Sequence, residues 1–373
     1  MSRRITQYPA HQSPFFRVAS KRKLAHLFGL TVPELEALLR HENYNVWPTQ
    51  QKLSEQLAGI KPRKSRTIQH PKSALFAIHA RLASLLAKIE KPSFVKSATR
   101  GVSYLDNATA HTSPGNTIKV DIKNFYPSVT KLQVKKFFKV HMQCPGDVAD
   151  LIARTCCLDG KLPTGSPLSP ILSYFACSDL FLEIRDIAAE HDLNFTLYVD
   201  DMTFTGAKAN RAFASRVNGI LKRHGFVGHK AACIPDGEPK VITGVALIQG
   251  ERSLPFSRQR RARMFETAFW RAADEEGIRL LGTALIGQFR EAARVEPGIE
   301  FRAAPILDRM QTLGITPGKK APGTKKKRRR TRSHRVSSIR GLVSQALKAN
   351  APVQTPHDQD TSAGREDIDS GTP

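Results

Sequence analysis

The sequence predicts an α+β fold built on a split βαβ sheet, and three observations carry that prediction. In residues 195–204, Phe195, Leu197 and Val199 alternate with Thr196, Tyr198 and Asp200, a period of two with one apolar and one polar face. The pattern breaks at Asp200-Asp201 and resumes, which predicts a hairpin carrying both acids at its tip. Residues 117–122 alternate in the same way, with Ile118, Val120 and Ile122 on one face and Thr117, Lys119 and Asp121 on the other. The third observation is element order: strand, helix, loop, helix, hairpin, helix, strand. Two strands then present acids on one polar face while helices cover the other.

The elements follow from local signals. Residues 21–30 and 32–41 read as short amphipathic helices, with Thr31 as N-cap and Pro33 and Glu34 in the first turn. Residues 61–71 are a basic, Pro-bounded run that ends in an extended piece suited to phosphates or to a solvated loop. Leu75, Ile78, Leu82, Leu85, Leu86 and Ile89 keep helical spacing, with Arg81 and Lys88 outside. Residues 92–111 read as a polar loop. Pro127 ends the strand that carries Asp121, and Thr130 caps a helix to about residue 140 that buries Phe137 or Phe138. Residues 162–170 form a tight loop opening a long buried helix over 171–191, with Pro170 in its first turn. Phe213, Val217, Ile220, Leu221 and His224 mark another helix, stopped by Gly225. A short strand follows at 241–247. Residues 255–310 are helical, with Arg258, Arg260, Arg261 and Arg263 at the front.

The 373 residues carry a formal net charge of +25, which points to a polyanionic partner, nucleic acid first. Eleven Lys or Arg and no acid fall in residues 319–340, and the rest of the chain still carries +14. A membrane surface is the rival partner. No run of about 18 apolar residues and no signal-peptide core is present, so the expectation is a cytoplasmic protein without a membrane partner. Cys144, Cys156, Cys157, Cys177 and Cys233 are odd in number and lack a C-x-x-C spacing, so they read as free thiols. The last stretch, rich in Pro, Ser, Thr, Gly and Asp, reads as disordered.

Two adjacent carboxylates repel, and hard oxygen ligands favour Mg²⁺ or Mn²⁺, although Asp-Asp is also ordinary turn chemistry. Asp121 on the matching face of a second strand shifts the balance. Three carboxylates around two divalent ions are the apparatus of in-line nucleotidyl transfer. Arg66 and its basic neighbours suit phosphates, and Lys230 suits protonation of a leaving pyrophosphate. No Walker loop, zinc signature or Ser-His-Asp order competes.

With these residues in view, the chain resembles a reverse transcriptase over roughly residues 20–310. Tyr198-Val199-Asp200-Asp201 matches the catalytic signature, and Asp121 to Ser128 resembles the motif of the first metal-binding Asp. Residues 162–170 resemble the template- and nucleotide-handling loop, with Thr164 and Gly165 as nucleotide contacts. Arg66-Thr67-Ile68 through Pro71 resembles the fingers motif that meets the triphosphate. Asn107-Ala108-Thr109-Ala110-His111 matches the Asn-Ala-x-x-His element of bacterial retron reverse transcriptases, and Ile242-Thr243-Gly244 resembles their Val-Thr-Gly element.

The resemblance implies a right-hand polymerase with fingers, split-βαβ palm and helical thumb, plus a basic disordered C-terminal tail. It divides the chain into an N-terminal helical extension (1–50), fingers and palm (51–250), thumb (251–315) and tail (316–373). Asp121, Asp200, Asp201 and the Ile122 carbonyl would hold two Mg²⁺ ions, with Mn²⁺ as a substitute. Tyr126 would lie under the incoming sugar and exclude a 2′-OH. Asn107, His111, Ile242, Thr243 and Gly244 would bind RNA. The implied partners are dNTPs, a cognate structured noncoding RNA with its cDNA, and an effector protein encoded nearby. The implied product is branched multicopy single-stranded DNA, primed from a guanosine 2′-OH, in anti-phage defence. Alternatives are another bacterial reverse transcriptase without a branched product, or a catalytically inactive RNA-binding module. The chain departs from the family pattern at Val199 (commonly Ala), Thr164 (commonly Gln), Tyr174 (often Asn) and Asn124 (often Asp).

Overall fold

A computed structural model describes residues 7–318 and 339–349 of the chain. Strand β1 (Tyr44–Pro48) pairs with β2 (Thr67–Pro71) in a two-stranded ribbon. Strands β3 (Thr117–Ile122), β4 (Asn194–Tyr198), β5 (Asp201–Thr205) and β6 (Gly228–Ile234) form an antiparallel sheet in the order β4-β5-β3-β6. Strands β7 (Lys240–Ile242), β8 (Val245–Ile248) and β9 (Glu251–Ser253) form a third sheet. In the central sheet β5 separates β4 from β3, and β3 separates β5 from β6. Two split βαβ units therefore interlock, and the α+β expectation holds.

The alternation of the strands decides which face is covered. Ile118, Val120, Ile122, Phe195, Leu197, Met202 and Phe204 are all buried in the main core. Helices Ser178–Glu190 and Arg211–Arg223 back that face. Phe204 stacks on Phe195 at 4.8 Å between ring centroids and meets Phe213 edge-on at 5.1 Å. The side chains of Thr31 and Glu34, and of Thr130 and Gln133, form the capping boxes that start their helices.

Five sequence expectations change, the first at 241–247, where the single strand expected folds back at Thr243-Gly244 into the β7–β8 hairpin. The helix expected over 171–191 breaks at Cys177 into Ser169–Ala176 and Ser178–Glu190. There the Cys177 N–H is shared by the Ser173 and Tyr174 carbonyls, and the Ser178 hydroxyl takes the Phe175 carbonyl, interrupting the ladder. The helix after Thr130 buries both Phe137 and Phe138, and its last turn widens into a π-helical turn over Phe137–His141. The polar loop at 92–111 contains a helix, Tyr104–Thr109, started by Ser103 and Asp106. The tail is not wholly irregular either. Helix Ile339–Ala349 docks on helix Ser73–Leu86, because Ile339, Leu342, Val343, Ala346 and Leu347 share one apolar face. The expected disorder of 319–338 and 350–373 lies outside the described residues.

A second core unites helices Phe256–Arg271, Glu275–Ala292 and Ala304–Thr312 through Phe265, Phe269, Leu285, Phe289, Ile306 and Met310. Ala58, beside helix Leu53–Leu57, joins it, and Arg261 Nη2 donates to Glu55 Oε1 at 2.5 Å. Among the described residues, no helix is long and apolar enough to cross a membrane. The five cysteines are free thiols, and all but Cys157 and Cys233 are buried.

Candidate active site

Register brings the acids together. Asp121 on β3 lies directly opposite Asp201 on β5, and Tyr198 pairs with Asp201 across a two-residue turn, Val199-Asp200. Val199 has φ +63°, a left-handed conformation at a position that favours glycine. A β-branched side chain is strained there, so the tip needs outside support. Ser97 supplies it, its Oγ accepting from the Val199 N–H at 2.8 Å. The preceding residues run alongside β4, with the Leu197 N–H donating to the Phe94 carbonyl and the Lys96 N–H to the Leu197 carbonyl, both at 2.9 Å.

Charge crowds at this tip. Burial, then the charge of Asp121 and more weakly that of Asp201, pushes the Asp200 carboxyl up to about 6; a backbone hydrogen bond and Arg66 work the other way. Burial and Asp121 also raise Asp201, against the pull of Lys119. Such desolvated, mutually repelling carboxylates suit a divalent cation in donor chemistry and in register. Among the described residues, no three His, Cys, Asp or Glu side chains close into a metal cage as they stand. Lys119 Nζ instead lies 3.8 Å from Asp201 Oδ2 and donates to the Val241 carbonyl at 3.0 Å.

Of the other expected site residues, Tyr126 and Arg66 lie within electrostatic reach of Asp200. Tyr126 lies on the short helix Phe125–Ser128, reached through Asn124 in a left-handed conformation. Burial, then Asp200 and Tyr198, pushes its phenol up to about 12. Arg66 stands at the base of β2, its N–H donating to Thr49 Oγ1 at 2.9 Å, and its charge reaches Asp200. The 162–170 loop docks on β2: Thr164 Oγ1 donates to the Thr67 carbonyl at 2.6 Å and the Gly165 N–H to the Gln69 carbonyl at 3.2 Å. A Cβ on Gly165 would meet the Gln69 carbonyl oxygen at 2.8 Å, so only glycine permits this approach. Lys230 falls where β6 shifts register against β3. The expectation for its side chain lies outside the described residues.

The 107–111 and 242–244 elements meet each other. Asn107 and His111 are fully buried, as is Ile242. His111 shares one ring nitrogen with Thr205 Oγ1 at 2.9 Å and the other with Thr196 Oγ1 at 2.7 Å, bolting helix Tyr104–Thr109 to β4 and β5. Asn107 Nδ2 donates to Thr243 Oγ1 at 3.4 Å, and that hydroxyl donates to the Tyr104 carbonyl at 2.9 Å. Direct RNA contact by the Asn107, His111 and Ile242 side chains is at odds with their burial. Thr243 and Gly244 form a half-buried turn with φ +44° and +81°.

No family model matches the chain. It is 29% identical over 195 residues to the retron Ec86 reverse transcriptase of Escherichia coli, covering 50% of this chain and 60% of that protein. The chain is similar to the retron reverse transcriptases. The retron Se72 reverse transcriptase of Salmonella heidelberg is 29% identical over 182 residues, 48% of each chain. The retron Mx162 reverse transcriptase of Myxococcus xanthus is 24% identical over 274 residues, 64% of this chain and 55% of that one. The chain thus spans about half to three fifths of the length of these retron enzymes. A solved foamy viral protease-reverse transcriptase bound to double-stranded DNA covers 81% of this chain and 43% of its own at 16% identity, with a TM-score of 0.40.

Sequence reasoning missed Lys119, Ser97 and His79 as site-building residues. Lys119 was findable, since it precedes Asp121 by two positions on the same polar face. Ser97 had no signal, because its partner Val199 lies 102 residues away. His79 hid on the apolar stripe of its helix. It is fully buried, with one nitrogen 2.7 Å from Ser166 Oγ and the other 2.7 Å from the Thr155 carbonyl.

Proposed function

We propose that the protein is an RNA-directed DNA polymerase of retron type. The observation that carries this reading is Asp121 facing Asp201 across two strands, with Asp200 at the adjoining turn. Asp121, Asp200, Asp201 and the Ile122 carbonyl are the groups that would hold two Mg²⁺ or Mn²⁺ ions. Bound there, the ions would activate a primer hydroxyl and neutralise the dNTP triphosphate. Arg66 holds phosphate from the fingers side. Tyr126 forms the floor under the deoxyribose, and the Thr164-Gly165 loop shapes the nucleotide pocket. Lys230 protonates the leaving pyrophosphate. Fingers and palm occupy 51–250 and the thumb 251–315, with 1–50 as a helical extension.

In this reading the template is a cognate structured noncoding RNA, copied from a 2′-OH primer into branched single-stranded DNA. The setting is the cytoplasm, in anti-phage defence with an effector protein encoded nearby. Similarity to retron enzymes and the charge of +25 support the nucleic-acid partner. Thr243 and Gly244 are the half-buried, accessible part of the retron-like elements, and Asn107 holds that turn from behind.

The test is Asp200→Asn combined with Asp201→Asn. The expected outcome is loss of DNA synthesis with an unchanged or raised melting temperature, because like-charge repulsion is relieved. Undiminished synthesis refutes the mechanism. Debranching enzyme applied to the product then separates a retron from a reverse transcriptase with linear cDNA.

A further inference from the structure

Lys119 stands on the polar face of β3, two residues before Asp121 and opposite Thr203 of β5. Its ammonium reaches the Asp201 carboxylate at 3.8 Å and the Val241 carbonyl at 3.0 Å. The Lys119 and Asp201 side chains are only 25% and 27% exposed. Among the described side chains, which do not include that of Lys230, Lys119 is the cation within 4.0 Å of these carboxylates.

The Val241 carbonyl is a fixed point. Val241 pairs with Ala246 across β7 and β8, and Ile242 packs with Ala108, Val245, Leu247 and Val295. Thr243 is tied to Tyr104 and Asn107, and the helix that carries them is bolted to β4 and β5 by His111. Helix, turn and lysine thus form one continuous support that ends at Asp201. An ammonium so placed lowers the local negative charge, and it competes with any other cation for Asp201.

We propose that Lys119 is a positioning residue, a built-in cation that holds Asp201 when no divalent ion is bound and sets how much Mg²⁺ the site requires. The proposal rests on the polymerase reading of the same carboxylates. It gives the buried part of the 107–111 and 241–244 elements a task, which is to hold Lys119 in place.

The experiment uses the full chain, with Lys119→Met, Lys119→Arg, Asp201→Asn and the double variant Lys119→Met/Asp201→Asn. Melting temperature is measured in chelator and across a Mg²⁺ titration, and primer extension is measured across the same titration. Lys119→Met should melt lower than wild type in chelator and gain more from Mg²⁺. Its half-saturating Mg²⁺ should fall about five- to tenfold, the order expected for one half-buried charge at this range. Lys119→Arg should stay near wild type, and in the Asp201→Asn background, read by melting temperature alone, Lys119→Met should leave the thermal gain from Mg²⁺ unchanged. An unaltered Mg²⁺ midpoint and thermal gain in Lys119→Met, or an equal effect without Asp201, overturns the proposal. If Lys119→Met does not fold, a Lys119→Arg chain with a Mg²⁺ midpoint shifted beyond threefold also overturns it. Wild-type protein that ignores Mg²⁺ in both measurements refutes the polymerase reading, and the proposal with it.

Discussion

Replacing His111 by Leu tests the bolt under the sheet. The native ring is fully buried and bonded on both sides. Its loss leaves Thr196 Oγ1 without that partner, while Thr205 Oγ1 keeps Thr117 at 3.0 Å. One unsatisfied buried hydroxyl costs about 1–3 kcal/mol. A second effect depends on pH. Burial, reinforced by Lys240 and Lys96, pushes the imidazole down to about 3, so the folded chain holds it neutral. In the unfolded chain it titrates near ~6.5, so between these values the unfolded state binds one proton more. Its contribution is therefore complete above ~6.5 and is lost as pH falls toward about 3. At about 1.4 kcal/mol per pH unit, roughly 2 kcal/mol is lost by about pH 5. His79, pushed down to about 4 by burial, acts in the same direction, whereas Asp200, raised to about 6, opposes it. The difference between wild type and variant removes both. Urea unfolding at about pH 7 and about pH 5 should show the stability gap between them narrowing by about 2 kcal/mol. A gap that is the same at both pH values refutes the buried neutral histidine.

Two further outcomes follow from the fingers side and the nucleotide pocket. Gly165→Ala forces a Cβ to within 2.8 Å of the Gln69 carbonyl oxygen. It should destabilise the chain by about 1–3 kcal/mol in urea unfolding and raise the KM for dNTPs more than it lowers kcat, because the loop leaves β2. Tyr126→Ala should let ribonucleotides into the product, read by alkaline cleavage of the extended primer. An all-DNA product from that variant removes Tyr126 from the sugar-selecting role.

The sequence alone determined the faces. Period-two alternation in 117–122 and 195–204 set which side of the sheet is buried, and the same alternation put Lys119 and Asp121 together. Local capping chemistry likewise marked the starts at Thr31 and Thr130. Tertiary structure decided the partners, since pairing across long separations has no local signature. Asp121 meets Asp201 because β5 inserts between β4 and β3, an order that no window of sequence contains. The loop at 92–111 hid a helix whose six residues are too few to show a period, and the strand threonines that receive His111 lie 85 and 94 residues downstream. An isolated histidine in a polar stretch reads as surface. Only the assembled sheet shows it as a buried tie, because burial is a property of everything that packs around a residue and not of its neighbours in the chain.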